Sequence, residues 1–229
     1  MKKIILATAL LGFVSGAQAA RGQIYVGPFI GSNNMDAKFD AYNKPADQKH
    51  NLKTGSRDFM GGLVVGYAYP CNNLLMGFEI LGNLNTLSKK IVSEKLVAVN
   101  ESFKFEHKAS YGFAARFGYR TTVDAVLYAR LGGEWSHYKL SYSGTDTVAN
   151  ATLRVSKTKT LFTFVPGVGI EMPVGGKWKA RLEAKYSLPQ KVKMTIGNSV
   201  PGSFAYENSS PRMRVGHTAV VMGVTYNFG

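Results

Sequence analysis

Residues 178 to 186 read WKARLEAKY. Trp178, Ala180, Leu182, Ala184 and Tyr186 fall on one side, and Lys179, Arg181, Glu183 and Lys185 on the other. A period of two is that of a strand whose side chains point alternately to opposite faces. A chain that repeats this pattern must bury or coat one face of a sheet. The question is whether the apolar face looks inward, as in a soluble sandwich, or outward, as in a barrel within a membrane.

The alternation recurs about eight times. In QIYVGPFIG, Ile24, Val26, Pro28 and Ile30 oppose Tyr25, Gly27, Phe29 and Gly31. Pro28 has no N–H to give a ladder, so a bulge or local gap is expected there. In FMGGLVVGYAY, Phe59, Leu63, Val65, Tyr67 and Tyr69 oppose Met60, Gly62, Val64, Gly66 and Ala68. In the third segment Met76, Phe78, Ile80 and Leu84 oppose Gly77, Glu79, Asn83 and Asn85. In the fourth, Tyr111 to Tyr119 alternate with Gly112, Ala114, Arg116 and Gly118. Leu127, Ala129, Leu131 and Trp135 then oppose Tyr128, Arg130, Gly132, Glu134 and Ser136. Phe162, Phe164, Val168, Ile170 and Met172 oppose Gly167, Gly169 and Glu171. The opening stretch is the seventh segment, and the eighth carries Val220, Met222, Val224, Tyr226 and Phe228 on one face.

The connections alternate too. Tight turns are expected at 70–73, 121–125 and 173–177. Long polar stretches fill about 33–57, 88–107, 141–158 and 189–211. Long loops are unusual within a compact soluble domain, whereas outer-membrane barrels have short periplasmic turns and long external loops. Aromatic residues cluster near the ends of the apolar faces (Tyr67, Tyr69, Tyr119, Trp178, Tyr186, Tyr226, Phe228), as in the girdles that flank a lipid band. The opposite faces mix glycine with single charges. An eight-stranded barrel is just wide enough to be filled by side chains, so those charges are expected to pair in the lumen: Glu79, Arg116, Arg130, Glu134, Glu171, Lys179, Arg181 and Glu183. A buried ion without a partner is expensive. Which residue pairs with which depends on shear and stays open, as does a wider, water-filled pore.

The start of the chain gives the route. Met1-Lys2-Lys3, the apolar run from Ile4 and Ala17-Gln18-Ala19 have the three parts of a secretory signal. The expected domains are a leader at 1–19 and a barrel at 20–229. Lys2 and Lys3 leave with the leader and all 14 acidic residues remain, so the mature chain stays strongly basic. Export argues against nucleic acid as a partner, and anionic lipid or polysaccharide fits the charge better. Cys71 is the single cysteine and cannot form an internal disulfide.

These pieces, IYVGPFIG, GFEI with inward Glu79, GVGIEM followed by ARLEAKY, and the terminal VTYNF, resemble the small outer-membrane barrels of the OmpA transmembrane-domain and opacity-protein type. The resemblance implies an all-β fold: an eight-stranded antiparallel transmembrane up-and-down β-barrel with four long extracellular loops and three short periplasmic turns. It implies recognition of the last strand by the barrel-assembly machinery through Tyr226 and Phe228, although Gly229 follows where the family ends on the aromatic. It implies a surface antigen and sometimes an adhesin. The peptidoglycan grip of OmpA-like proteins belongs to a further domain and is not carried over.

The expected function is therefore a structural and surface-interaction role in the outer membrane of a Gram-negative bacterium. Its partners would be outer-membrane lipid and lipopolysaccharide, and host-cell or glycan ligands at basic loops. The third loop carries Lys139, Arg154, Lys157 and Lys159, and the fourth Lys191, Lys193, Arg212 and Arg214. No cofactor and no metal site are expected. The alternatives are a lipid A-modifying enzyme, a narrow porin and a soluble lipocalin-like binder. An enzyme needs a His and a nucleophile held together. Here Ser136 and His137 are adjacent, so a strand sends them to opposite faces, and His107 has Glu106 and Ser110 nearby in sequence.

Overall fold

The computed structural model describes residues 22–43, 48–86, 88–92, 99–146, 151–193 and 212–228. The expected leader and Gly229 lie outside them. Every described element is a strand: β1 Gln23–Asn43, β2 Gln48–Cys71, β3 Leu74–Asn85, β4 Ser88–Val92, β5 Val99–Arg120, β6 Val126–Asp146, β7 Ala151–Gly175, β8 Trp178–Lys193 and β9 Arg212–Phe228. All neighbours are antiparallel. β3 and β4 are two parts of one stave, because both pair with β5. The β3–β5 and β1–β9 ladders close the ring, which gives eight up-and-down staves. Closure matters in hydrocarbon, where each orphaned backbone group costs several kcal/mol.

The phase answers the opening question. Leu182, Trp178 and Tyr186 are exposed, while Arg181, Glu183 and Lys185 are buried. The same holds around the ring: Ile30, Leu63, Ile80, Phe117, Leu131, Phe164 and Met222 look outward. The turns at the ring's lower end are short, with Asn72 (φ 54°) and Asp124 (φ 57°) in the left-handed region that Asn and Asp tolerate. At Pro28 the β1–β9 ladder skips from Val26↔Tyr226 to Phe29↔Gly223 without a change of register, so the missing donor leaves a local gap.

The expected long loops need correction. Much of 33–57, 88–107 and 141–158 continues the ladders: β1 and β2 pair up to Asn43↔Gln48, and β6 and β7 up to Asp146↔Ala151. Lys139, Arg154, Lys157 and Lys159 thus stand on strands, as do Lys191, Lys193, Arg212 and Arg214. Of the fourth stretch, 194–211 lies outside the described residues. The strands run 16 to 25 residues apart from β3, β4, well past the 9–11 that cross a bilayer.

Hydropathy inverts along these long strands while the geometric phase stays constant. On β6, outward Leu127, Leu131 and Trp135 give way to outward Lys139 and Ser141. Inward Arg130 and Glu134 give way to inward Tyr138, Leu140 and Tyr142, all buried. On β1, outward Ile30 gives way to Asp36 and Lys38, with Met35 and Ala37 buried inside. On β5 a bulge between His107 and Ala109 shifts the register, so that Phe105 and His107 also turn inward. The lower half is a membrane barrel, apolar outside. The upper half is an extracellular extension with an apolar core of Met35, Phe105, Leu140, Tyr142, Met213 and Val215.

The extension also splits. Among the described residues, no ladder joins β7 to β8 above Gly167↔Lys185, and none joins β2 to β4 above Met60↔Asn85. Two sheets result, β4-β5-β6-β7 and β2-β1-β9-β8, that face each other across the apolar core. Their edge strands carry Lys157, Lys159, Lys191 and Pro189, the residues that blunt an edge against pairing with another chain.

Candidate functional site

The ring brings all eight sequence-predicted lumen charges together, on β3 and β5–β8. Their ion pairs form one chain across the lumen. Lys179 Nζ lies 3.2 Å from Glu171 Oε1, and Glu171 Oε2 accepts from Arg116 Nη2 at 3.1 Å. Arg116 Nη1 reaches Glu79 Oε1 at 3.2 Å, and Arg181 Nη1 reaches the same oxygen at 2.8 Å. Arg181 Nη2 donates to Glu183 Oε2 at 2.7 Å. Arg130 Nε lies 3.8 Å from Glu183 and 3.7 Å from Glu79, and its Nη2 3.4 Å from Glu134.

Three members of this network were not singled out from sequence. Lys185 Nζ ends the chain at 3.2 Å from Glu134. Tyr25 donates to Glu79 Oε1 at 2.7 Å, and Tyr128 donates to Glu183 Oε2 at 3.0 Å. The Arg116 guanidinium stacks over the Tyr128 ring at 3.8 Å, a geometry that suits the planar, weakly hydrated cation. The signal was present: Lys185 shares the face of Arg181 and Glu183, and the two tyrosines alternate with glycines and ions. The tyrosine rings lie against Gly66 and Gly169, where a Cβ would strike them. Small residues therefore make the room the network occupies.

Ions do not fill the lumen alone. Phe29, Met60, Val64, Leu81, Ala219 and Val221 form a buried apolar cluster on the β9-β1-β2-β3 side. Lys185 Nζ lies 5.8 Å from the Phe29 ring centre and joins the two halves. Two cavities beside the ions and the apolar cluster, among the described residues, are small. One, between Phe29, Glu79 and Lys185, holds about 20 Å³, and another, between Asn83, His107 and His217, about 30 Å³. Each has room for a water or two.

Above the ions sits a neutral polar layer. Ser110 donates to Asn83 Oδ1 at 2.7 Å, and Asn85 Nδ2 donates to the same oxygen at 2.8 Å. Tyr138 Oη lies 3.0 Å from His217 Nε2, and the His107 and His217 rings are 5.1 Å apart. Ser136 is buried in this layer, while His137 faces outward beside Thr160 at 2.8 Å. The adjacent Ser136–His137 pair is thus split between faces. Among the described residues no group of three or more His, Cys, Asp or Glu could hold a metal.

The outer rim of the lipid band is marked by Trp135, packed 5.6 Å from Tyr111, 5.7 Å from Phe113 and 5.0 Å from Phe162. The inner rim is marked by Trp178, Tyr226 and Phe228, with Tyr226 5.1 Å from Trp178 and 5.0 Å from Phe228. Phe228 pairs in register with Ile24, so the last strand closes the ring on the first.

The model of the family described as "Outer membrane protein beta-barrel domain" matches residues 5–228. The chain belongs to that family. It lies in the outer membrane of Gram-negative bacteria, and its apolar face is the lipid face. Similar solved structures include the outer membrane protein OprG from Pseudomonas aeruginosa, at 11 % identity over 91 % of this chain and 97 % of that one, with a TM-score of 0.55. Ail, the attachment invasion locus protein of Yersinia pestis, matches at 16 % identity over 89 % and 98 %, TM-score 0.38. The outer membrane protease OmpT from Escherichia coli matches at 10 % over 90 % and 97 %, TM-score 0.37. At these identities the likeness concerns the fold. A search of curated sequences finds no match.

Proposed function

We propose that this family member is a non-conducting, non-enzymatic surface protein. The barrel anchors it, and the two-sheet extension presents a basic exterior to the surroundings of the cell. The observation that carries this reading is the division of labour along the strands. The membrane half is closed by the chain of ions from Lys179 to Lys185. The half beyond the lipid keeps an apolar core and turns its charges outward. A rigid scaffold with an exposed polar end is where binding resides in such folds. The leader would be removed before Ala20, and the assembly machinery would read Tyr226 and Phe228 on the closing strand. Outer-leaflet lipopolysaccharide would surround the aromatic rim.

Two features favour this over the alternatives. The lumen cavities of about 20 and 30 Å³ are too small for an acyl substrate or a hydrated ion path. Ser136 and His137 face opposite ways, and the layer that gathers Ser110, Ser136, His107 and His217 encloses only about 30 Å³, with no room for an acyl chain. The test has two arms. Refolded barrel in planar bilayers is expected to give no steady conductance, and cells expressing it should adhere to host cells more than cells without it. Steady channels, or an altered lipid A acyl pattern on expression, would overturn the reading.

A further inference from the structure

Among the described residues, five buried side-chain atoms without a partner belong to residues lining one space, the cavity of about 30 Å³ above the ions. They are Nδ1 of His107, Nδ1 of His217, Oδ1 of Asn33, Oδ1 of Asn85 and Nδ2 of Asn83. Asn33, Asn83, His107 and His217 are each more than nine-tenths buried. A buried polar atom left unpaired is costly, so this concentration points to an occupant. The residues come from separate strands: Asn33 from β1, Asn83 and Asn85 from β3, His107 from β5 and His217 from β9. His107 thus belongs to one sheet of the extension and His217 to the other, and the cavity lies at their joint. Val165 of β7 and Lys185 and Ser187 of β8 complete the wall at the level where the β7–β8 ladder ends. Entry between those two strands breaks no ladder bond.

Three observations select a metal ion. First, the His107 and His217 ring centres are 5.1 Å apart. Two imidazoles on one tetrahedral ion, each bound at about 2.0–2.1 Å, have ring centres roughly 5 Å apart. Second, each ring has its other nitrogen beside a polar group. Tyr138 Oη lies 3.0 Å from His217 Nε2, and the Asn85 amide 3.5 Å from His107 Nε2. Metal-binding histidines are oriented in this way, by a partner on the nitrogen away from the ion. Third, the amides can present oxygen. A half-turn of Asn83 and Asn85 exchanges O for N in each. It preserves the 2.8 Å contact between them and the 2.7 Å contact of Asn83 with Ser110. It also turns an oxygen toward His107 Nε2–H and puts Asn83 Oδ1 where the partnerless nitrogen was. The lone-pair donors are then two imidazole nitrogens and the amide oxygens of Asn33 and Asn83. Only two of these residues are of the His, Cys, Asp and Glu kind, so they form no group of three. Glu134 and Lys185 also line the cavity and are paired at 3.2 Å, so their charges offset each other beside an incoming cation.

We infer that His107, His217, Asn33 and Asn83 form a binding site for one divalent transition-metal ion. The ion staples the two sheets of the extension at their base. The inference stands apart from the surface-binding reading above and does not rest on it. Imidazole ligands suit copper, zinc and nickel, and the usual affinity order places Cu²⁺ above Zn²⁺. The probes are therefore Cu²⁺ and Zn²⁺ salts, titrated into the full mature protein in detergent after treatment with a chelator. One ion per chain is expected, Cu²⁺ more tightly than Zn²⁺. The electron paramagnetic resonance spectrum of the copper form should show hyperfine coupling to two imidazole nitrogens. Tyr138→Phe should weaken binding by about tenfold, on the scale of outer-shell losses, and H107Q/H217Q by more than about a hundredfold. His137→Gln, on the outer face, should change it little. Zn²⁺ should also slow protease cleavage of the extension in the parent and leave it unchanged in H107Q/H217Q. Heat-modifiable gel migration checks that each variant is folded. Absence of binding overturns the inference, as does equal affinity in a folded H107Q/H217Q, which would mean metal held at the surface only. The spectrum of the parent decides without any variant: coupling to fewer than two imidazoles overturns the inference even if H107Q/H217Q fails to fold.

Discussion

Changing Glu79 to Gln is the sharpest perturbation of the lumen. The side chain keeps its volume and can still accept from Tyr25, which lies at 2.7 Å. What disappears is the one carboxylate that faces Arg181 at 2.8 Å, Arg116 at 3.2 Å and Arg130 at 3.7 Å. Arg116 keeps Glu171, and Arg181 keeps Glu183, so the loss is partial for each cation but shared by three. Removing one partner of a buried ion pair costs about 3–5 kcal/mol, because the remaining charge is left uncompensated. That is about two to four powers of ten in the folding equilibrium. The assay is urea unfolding and refolding in lipid vesicles, read by tryptophan fluorescence and by the heat-modifiable gel shift. A second change, Arg116→Gln, should cost less in the Glu79→Gln background than alone, with a coupling of about 1–3 kcal/mol. Should Glu79→Gln unfold within 1 kcal/mol of the parent, the ions would be solvated and the lumen wet, contrary to the closed network drawn here.

Other outcomes follow from the same geometry. Gly169→Val should push the Tyr128 ring out from beside Arg116 and Arg181, lowering stability by about 1–3 kcal/mol as overpacking does in the same unfolding assay. Leu140→Ala should empty part of the extension's core and cost about 2–5 kcal/mol. It should raise protease cleavage of the extension on whole cells while the barrel keeps its gel shift. Leu182→Arg, on the lipid face, should cost about 2–4 kcal/mol if it lies near the bilayer midplane; a neutral result would argue against lipid contact there.

The membrane half was legible in sequence because lipid allows only one face to be apolar over a fixed length. From Phe59 to Phe228 alternation separates the two faces, the aromatic ends and the short-and-long connections tell which one is outward, and the lumen ions lie on the opposite phase. The pairing of those ions was not legible. Glu79 meets Arg181 across 102 positions of chain, a neighbourhood set by shear rather than by any local pattern. The extension was missed for a different reason. Segments such as Tyr138 to Ser143 alternate as strictly as the membrane strands, but with the apolar residues on the inner phase. Read by composition they look like polar loops. Only a fixed geometric phase shows that solvent has replaced lipid outside. On β5 even that clue is hidden, because the bulge at His107 and Ala109 shifts the count by one residue.

That inversion is tested most directly by depth. In a Cys71→Ser background, single cysteines at the outward β6 positions 127, 131, 135, 139 and 141 would carry an environment-sensitive dye in vesicles with brominated lipid. Strong quenching at Leu127, Leu131 and Trp135, and none at Lys139 and Ser141, is the expected result. Quenching that continues through Lys139, or is absent at Leu131, would contradict the account.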